Sequence, residues 1–195
     1  GRQADFYKAC AFGAHRDSWY ANSRAQINWW IPLHDVDESQ SVLFYPEYFD
    51  KPIANDSDKF DYELWRDEVG FGKSQLGRGG FYPRVQVPIE PDEPRFAIRA
   101  GKGSIVLFSA AHLHQTVINK EDTVRVSVDF RTVDLKSESE GVGAPDPDNR
   151  SRGSATRDYR PVYKSARTFL EVFREIVEAY PQNIAVLENG ERQTT

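Results

Sequence analysis

His15-Arg16-Asp17 places an imidazole and a carboxylate two positions apart. Along an extended backbone, residues i and i+2 point to the same side, so His15 and Asp17 converge while Arg16 points away. Far downstream, residues 103–131 (GSIVLFSAAHLHQTVINKEDTVRVSVDFR) bring further imidazoles, His112 and His114, and an arginine, Arg125. Two histidines and one carboxylate on one face of a metal, with the other positions open, form a ligand set that suits non-haem iron(II). His112 and His114 compete for the second imidazole position, since both belong to one H-x-H. His34 is a weaker candidate, because Asp35, Val36 and Asp37 mark a polar turn around it.

These groups need strands to carry them. Residues 25–33 (AQINWWIPL) alternate, with Ile27, Trp29, Ile31 and Leu33 on one face. Gln26, Asn28 and Trp30 lie on the other, a mixed face that would line a pocket. Residues 123–133 alternate in the same way. Val124, Val126, Val128 and Phe130 oppose a polar row of Arg125, Ser127, Asp129 and Arg131. An arginine on an inner strand face needs an anion, because an unpaired buried charge is costly. That anion is either a protein carboxylate such as Asp129 or a bound anionic molecule.

Further strands are expected over 41–45, 81–89, 95–99 and 104–110, with prolines marking edges and ends. Residues 46–80 form a long polar excursion with a helical possibility at 59–67. Its glycines, Gly70, Gly72, Gly77, Gly79 and Gly80, do not sit between a strand and a helix as a phosphate loop requires. Residues 134–160 read as loop. Residues 162–180 read as a helix, with Phe169, Val172, Phe173, Ile176 and Val177 at helical spacing and Pro181 as its stop. Short strands with turn signals and one late helix suggest a mainly β jelly roll, a double-stranded β-helix of the cupin-like kind, as one domain over 1–195.

Composition narrows the function. A net charge of −5 leaves no basic footprint for nucleic acid. No apolar run is long enough to span a bilayer. The single cysteine, Cys10, allows no intramolecular disulfide, which fits a cytoplasmic setting. The chain opens GRQADFYKA with no signal peptide and no initiator Met, so a processed chain or a fragment is expected.

The ordered combination of H-x-D and H-x10-R on strands resembles the iron(II)/2-oxoglutarate-dependent dioxygenases, particularly their phytanoyl-CoA dioxygenase-like branch. Residues 103–131 are similar to that branch's second-histidine segment: a G-S-x-x-x-F strand, a histidine, an asparagine five residues on and an arginine six beyond. Those positions are His114, Asn119 and Arg125. SQSVLFYPEYF resembles the branch's P-G-S-H segment, with Glu47 and Tyr48 in place of Gly and Ser. The likeness covers about residues 12–133. The HRDSWY and SVDFR surroundings also resemble oxygenase-like proteins of aminoglycoside and other specialised-metabolite pathways.

The resemblance implies that His15, Asp17 and His114 bind Fe(II) and that Arg125 grips the distal carboxylate of 2-oxoglutarate. Gln26 and Asn28 would belong to the cosubstrate wall. Trp30, Arg131, Trp19 and Tyr20 are candidates for meeting the substrate. Dioxygen would be the co-reactant and a small polar molecule the substrate. Because Asp17 is retained, where related halogenases carry a small residue, hydroxylation or another oxidation is implied. Two other readings use the same residues: a cupin-type metalloenzyme without 2-oxoglutarate, and a non-catalytic jelly-roll binding module. The sequence leaves the substrate and the oligomeric state open.

Overall fold

The computed structural model describes residues 12–70, 82–119 and 121–160, together with the backbone of 186–188 and 191–193. The chain divides into two units, Gly1–Asp158 and Tyr159–Thr195. In the second, β7 (Val186–Glu188) and β8 (Glu191–Gln193) form an antiparallel pair. The expected helix at 162–180 and the glycines from Gly72 to Gly80 lie outside the described residues.

The first unit is mainly β. Its strands are β1 (Gln26–Pro32), β2 (Val42–Phe44), β3 (Phe96–Ala97), β4 (Val106–Ser109), β5 (His114–Thr116) and β6 (Ser127–Val133). They form two antiparallel three-stranded sheets, ordered β4-β1-β6 and β3-β2-β5. The chain passes from one sheet to the other between β1 and β2 and at each step from β3 to β6, so residues far apart in sequence meet between the sheets. The inner faces touch through Trp30, Val42, Phe44, Val106 and Phe108, with Phe44 edge-on to Phe108 at 5.1 Å between ring centroids.

β1 forms where the alternation predicts it, from β-branched and aromatic residues that suit a pleated strand. Its burial, however, reverses the usual amphipathic reading. The mixed face of Gln26, Asn28 and Trp30 is buried, while Ile27 and Leu33 are 38% and 42% exposed. Asn28 pairs with Arg131, and Trp30 with Asp129, so the polar rows of β1 and β6 share the inner face. On the outer face Trp29 stacks on Phe130 at 5.3 Å.

Three expected elements differ. No strand spans 82–89; Pro83 and Pro88 deny the backbone a ladder, and only Val85 bridges, to Asn55. The helix in the long excursion is α1 (Tyr62–Glu68), whose start is set by the Asp61 side chain accepting from the Glu63 and Leu64 amides. Residues 134–158 are more ordered than the loop expected there. They begin with a short helix, α2 (Leu135–Ser139), and then run over the core. The amides of Ala144, Arg152 and Ala155 donate to the carbonyls of Arg24, Phe60 and Ala21. Among the described residues no helix is long and apolar enough to cross a membrane.

Leu113 is fully buried with Trp19, Tyr45 and Ile53, one residue before His114. Leu113→Ala is expected to cost about 2–5 kcal/mol, the range for emptying a buried leucine site. Urea unfolding measures it, and a loss under about 1 kcal/mol would contradict this packing.

Candidate metal centre

Two backbone hydrogen bonds place the site. The His15 amide donates to the His114 carbonyl at 2.9 Å, and the His114 amide donates back to the His15 carbonyl at 3.0 Å. This is the hydrogen-bonded type of antiparallel pair. It sets the two imidazoles side by side, 4.3 Å between ring centroids. Asp17 begins a short 3-10 turn, Asp17–Tyr20, which turns its carboxylate toward both rings.

The ring tautomers follow from the neighbours. His15 Nδ1 lies 2.7 Å from the Gly13 carbonyl oxygen, and His114 Nδ1 lies 2.9 Å from that of His112. A carbonyl only accepts, so each Nδ1 carries the proton. In a neutral ring each Nε2 then presents a lone pair. His15 Nε2 lies 3.4 Å, and His114 Nε2 3.9 Å, from Asp17 Oδ1. The three candidate ligand atoms all fall within 4.8 Å of one another, and all three residues are buried. Acceptors turned on one another without a donor repel, so a cation or a proton belongs between them. A ligating histidine that donates its other N–H to a carbonyl is the usual second-shell arrangement of a metal site.

The electrostatics agree. Burial, and then the neighbouring His15, lower the His114 pKa to about 4, so this ring stays neutral at ordinary pH. Burial pushes the Asp17 carboxyl up, but Arg131, His15 and His114 together outweigh it and hold the group well below the usual carboxylate range. The outer oxygen of Asp17 is also fixed. Asn28 Nδ2 donates to Oδ2 at 2.7 Å, and Arg131 Nε lies 3.6 Å from it. Gln26 Nε2 in turn donates to Asn28 Oδ1 at 2.7 Å. One carboxylate oxygen is thereby held back by the protein, while the other faces the imidazoles.

The remaining candidates sort by position. Gln26 and Asn28 are buried and reach Asp17 in relay rather than facing an open pocket wall. Trp19 does not cover the site; it is fully buried in the core beside Tyr45, Ile53 and Leu113, and its indole N–H donates to Asp148. Tyr20 does stand against the centre, its ring 5.2 Å from His15, and its hydroxyl donates to the Pro83 carbonyl. Trp30 is buried between the sheets, and the Arg125 guanidinium lies over its ring at 5.6 Å. Arg131 is half exposed beside Asp17. His112 turns away, its ring against Phe49 at 4.7 Å, and His34 donates nothing to the centre but accepts from the Val126 amide.

Arg125 is half-buried and shares a weak 3.5 Å contact with Ser127 Oγ. Among the described residues no carboxylate lies close enough to pair with it, and burial lowers its pKa despite Asp129 nearby. Ser127 Oγ instead donates to Asp129 at 2.9 Å. Sequence reasoning does not find Arg16 and Asp148, which hold the H-x-D segment from behind.

No family model matches the sequence, and no curated protein matches it. Among solved structures the fold is similar to EvdO2 from Micromonospora carbonacea var. aurantiaca complexed with 2-oxoglutarate, with a TM-score of 0.43 and 13% identity over 62% of this chain and 44% of that one. It is also similar to EvdO2 in a second structure, at 0.43 and 14% over 63% and 46%. A third similar structure is the non-haem alpha-ketoglutarate-dependent epimerase SnoN from nogalamycin biosynthesis, at 0.41 and 20% over 64% and 41%. The chain spans less than half the length of each of these proteins.

The low His114 pKa has a consequence for metal-free protein. An unfolded histidine takes its proton near pH 6.5, whereas folded His114 resists down to about 4. Between those values the unfolded state binds more protons, so stability falls as pH falls. The urea midpoint is expected to drop across this window more steeply for the wild type than for His114→Gln. Equal slopes would contradict the burial of a neutral ring.

Proposed function

We propose that this chain is a non-haem Fe(II)/2-oxoglutarate-dependent oxygenase of the phytanoyl-CoA dioxygenase-like kind, built on a double-stranded β-helix, that oxidises a small polar metabolite. The observation that carries the reading is the convergence of His15 Nε2, His114 Nε2 and Asp17 Oδ1, with both Nδ1 protons committed to carbonyls. Two nitrogens and one carboxylate oxygen fit a divalent first-row metal, and ferrous iron suits a set that leaves other positions open. His15, Asp17 and His114 would hold it. When bound, iron supplies the redox chemistry that couples oxidative decarboxylation of 2-oxoglutarate by dioxygen to oxidation of the substrate.

The protein's own residues bind, orient and shield. Arg125 offers a guanidinium with no carboxylate partner among the described residues, in a setting that penalises leaving it unpaired. A dicarboxylate cosubstrate answers that need, and the planar fork of arginine matches a carboxylate better than a lysine does. Asn28 and Arg131 keep the outer oxygen of Asp17 occupied, so the carboxylate presents one oxygen inward. Phe12 and Tyr20, with ring centroids 5.9 and 5.2 Å from His15, exclude water from that ring. The polar row of Ser127, Asp129 and Arg131 supports a polar substrate over an apolar one. The HRDSWY and SVDFR surroundings, which resemble oxygenase-like proteins of specialised-metabolite pathways, are consistent with a substrate of that kind, with hydroxylation as the simplest outcome.

The test is turnover of 2-oxoglutarate to succinate by the Fe(II)-loaded protein. Asp17→Ala and His15→Ala are expected to abolish it. Arg125→Ala is expected to raise the KM for 2-oxoglutarate roughly 10–100-fold, the worth of a charge-assisted pair at about 1.5–3 kcal/mol. Metal-dependent oxidation that proceeds without 2-oxoglutarate and ignores Arg125→Ala would favour a cupin-type enzyme instead. Metal binding without any turnover would favour a binding module.

A further inference from the structure

The middle residue of the H-x-D segment has no part in the chemistry above. Arg16 has an extended backbone (φ −107°, ψ 143°), so its side chain leaves opposite to His15 and Asp17. It is nevertheless 0% exposed, an unusual place for a guanidinium. Nη1 donates to the Ala111 carbonyl and, at 3.3 Å, to that of Phe49. Nη2 donates to the Lys51 carbonyl at 2.8 Å, and Nε donates to Asp148 Oδ2 at 3.3 Å. Asp148 also accepts from Trp19 Nε1 at 2.8 Å and from the Ile53 amide at 2.9 Å.

One buried ion pair thus ties four stretches of chain: 15–19, 49–53, the turn at Ala111, and the run over the core after β6. Two of these carry the converging atoms, since Ala111 lies three residues before His114. On the site's side those two stretches are joined by the reciprocal His15–His114 hydrogen bonds. Behind it they are joined by Arg16 and the Ala111 carbonyl. A single attachment leaves one segment free to twist about the other, whereas two on opposite sides fix the twist.

We infer that Arg16 and Asp148 are positioning residues for the metal centre: their buried ion pair, closed across 132 positions of sequence, sets how His15 and Asp17 face His114. This rests on the reading of those three as metal ligands. Asp148 anchors Arg16, and Arg16 anchors both ligand-bearing segments. A lysine cannot replace the guanidinium, because a single ammonium cannot reach the Ala111 and Lys51 carbonyls and Asp148 at once. Removal of the Asp148 charge strands a buried cation, which then relaxes away from Ala111.

Cobalt(II) serves as the probe, because its visible absorption reports ligand geometry as well as affinity. The wild type is compared with Asp148→Asn, Arg16→Lys and Val69→Ala. Val69 is fully buried in a separate core cluster with Phe60, Tyr62 and Trp65, so its truncation lowers stability without touching the pair. Dissociation constants and spectra are taken where circular dichroism shows each variant folded. Asp148→Asn and Arg16→Lys are expected to weaken Co(II) binding about 10–100-fold and to shift its absorption bands, while Val69→Ala changes neither. If Asp148→Asn behaves as Val69→Ala does, the pair is merely structural and the inference fails, with the metal reading intact. If the wild type binds no Co(II), the metal reading itself fails. Should both single variants fail to fold, Arg16→Met/Asp148→Leu removes both charges together, and wild-type affinity in that double variant would overturn the inference.

Discussion

The structure depends on one reciprocal backbone pairing, between His15 and His114. It is short-range in space and long-range in sequence. It decides that two imidazoles from distant stretches of the sequence stand next to each other, and every other feature of the centre refines that meeting. The sheets supply the rigidity behind it. β5 runs on from His114 and pairs with β2, and β1 carries Asn28 to the far oxygen of Asp17. A carboxylate held on one oxygen and open on the other is a more directional group than a free one, and this direction comes from the inner face of β1 and β6.

That inner face explains an otherwise odd distribution of side chains. A strand with an apolar row on one face usually buries that face, yet β1 buries its amides. The amides of Gln26 and Asn28 are satisfied in a chain that ends on an ionised carboxylate, so their burial is compensated rather than penalised. Arg125 is the exception on this face: it leans over Trp30 and forms no ion pair with a carboxylate among the described residues, although Asp129 is near. Among the described residues, Asp17 and Arg16 on either side of the centre are each met by an opposite charge, whereas Arg125 is met only by the ring of Trp30 and the Ser127 hydroxyl.

Much of this was legible in the sequence, for physical reasons that can be named. The alternation in 25–33 and 123–133 marks two central strands because a period of two is hard to produce otherwise. His15 and Asp17 converge because i and i+2 share a side. The rest was hidden because it is non-local. Nothing in H-x-H chooses between His112 and His114; the choice is made by β5 beginning at His114 and by Phe49 taking the other ring. Trp19 reads as a cover for the site but is core, because the 3-10 turn after Asp17 rotates it inward toward Leu113. Asp148 sits among prolines, glycines and arginines with no periodic pattern, so its ties to Arg16, Trp19 and Ile53 leave no local trace. Residues 81–89 carry β-forming side chains, but two prolines withhold the donors a ladder needs.

Were His15, Asp17 and His114 to hold a metal as proposed, their unequal spacing in sequence would set how metal and folding are coupled. His15 and Asp17 stay two residues apart even when the chain is unfolded, so a denatured molecule would keep two of the three donors together. His114 joins only once the sheets have closed. Metal would then favour the native state by the increment of the third ligand rather than by the whole of its affinity. An ion held by that pair would then be in place before the two sheets close.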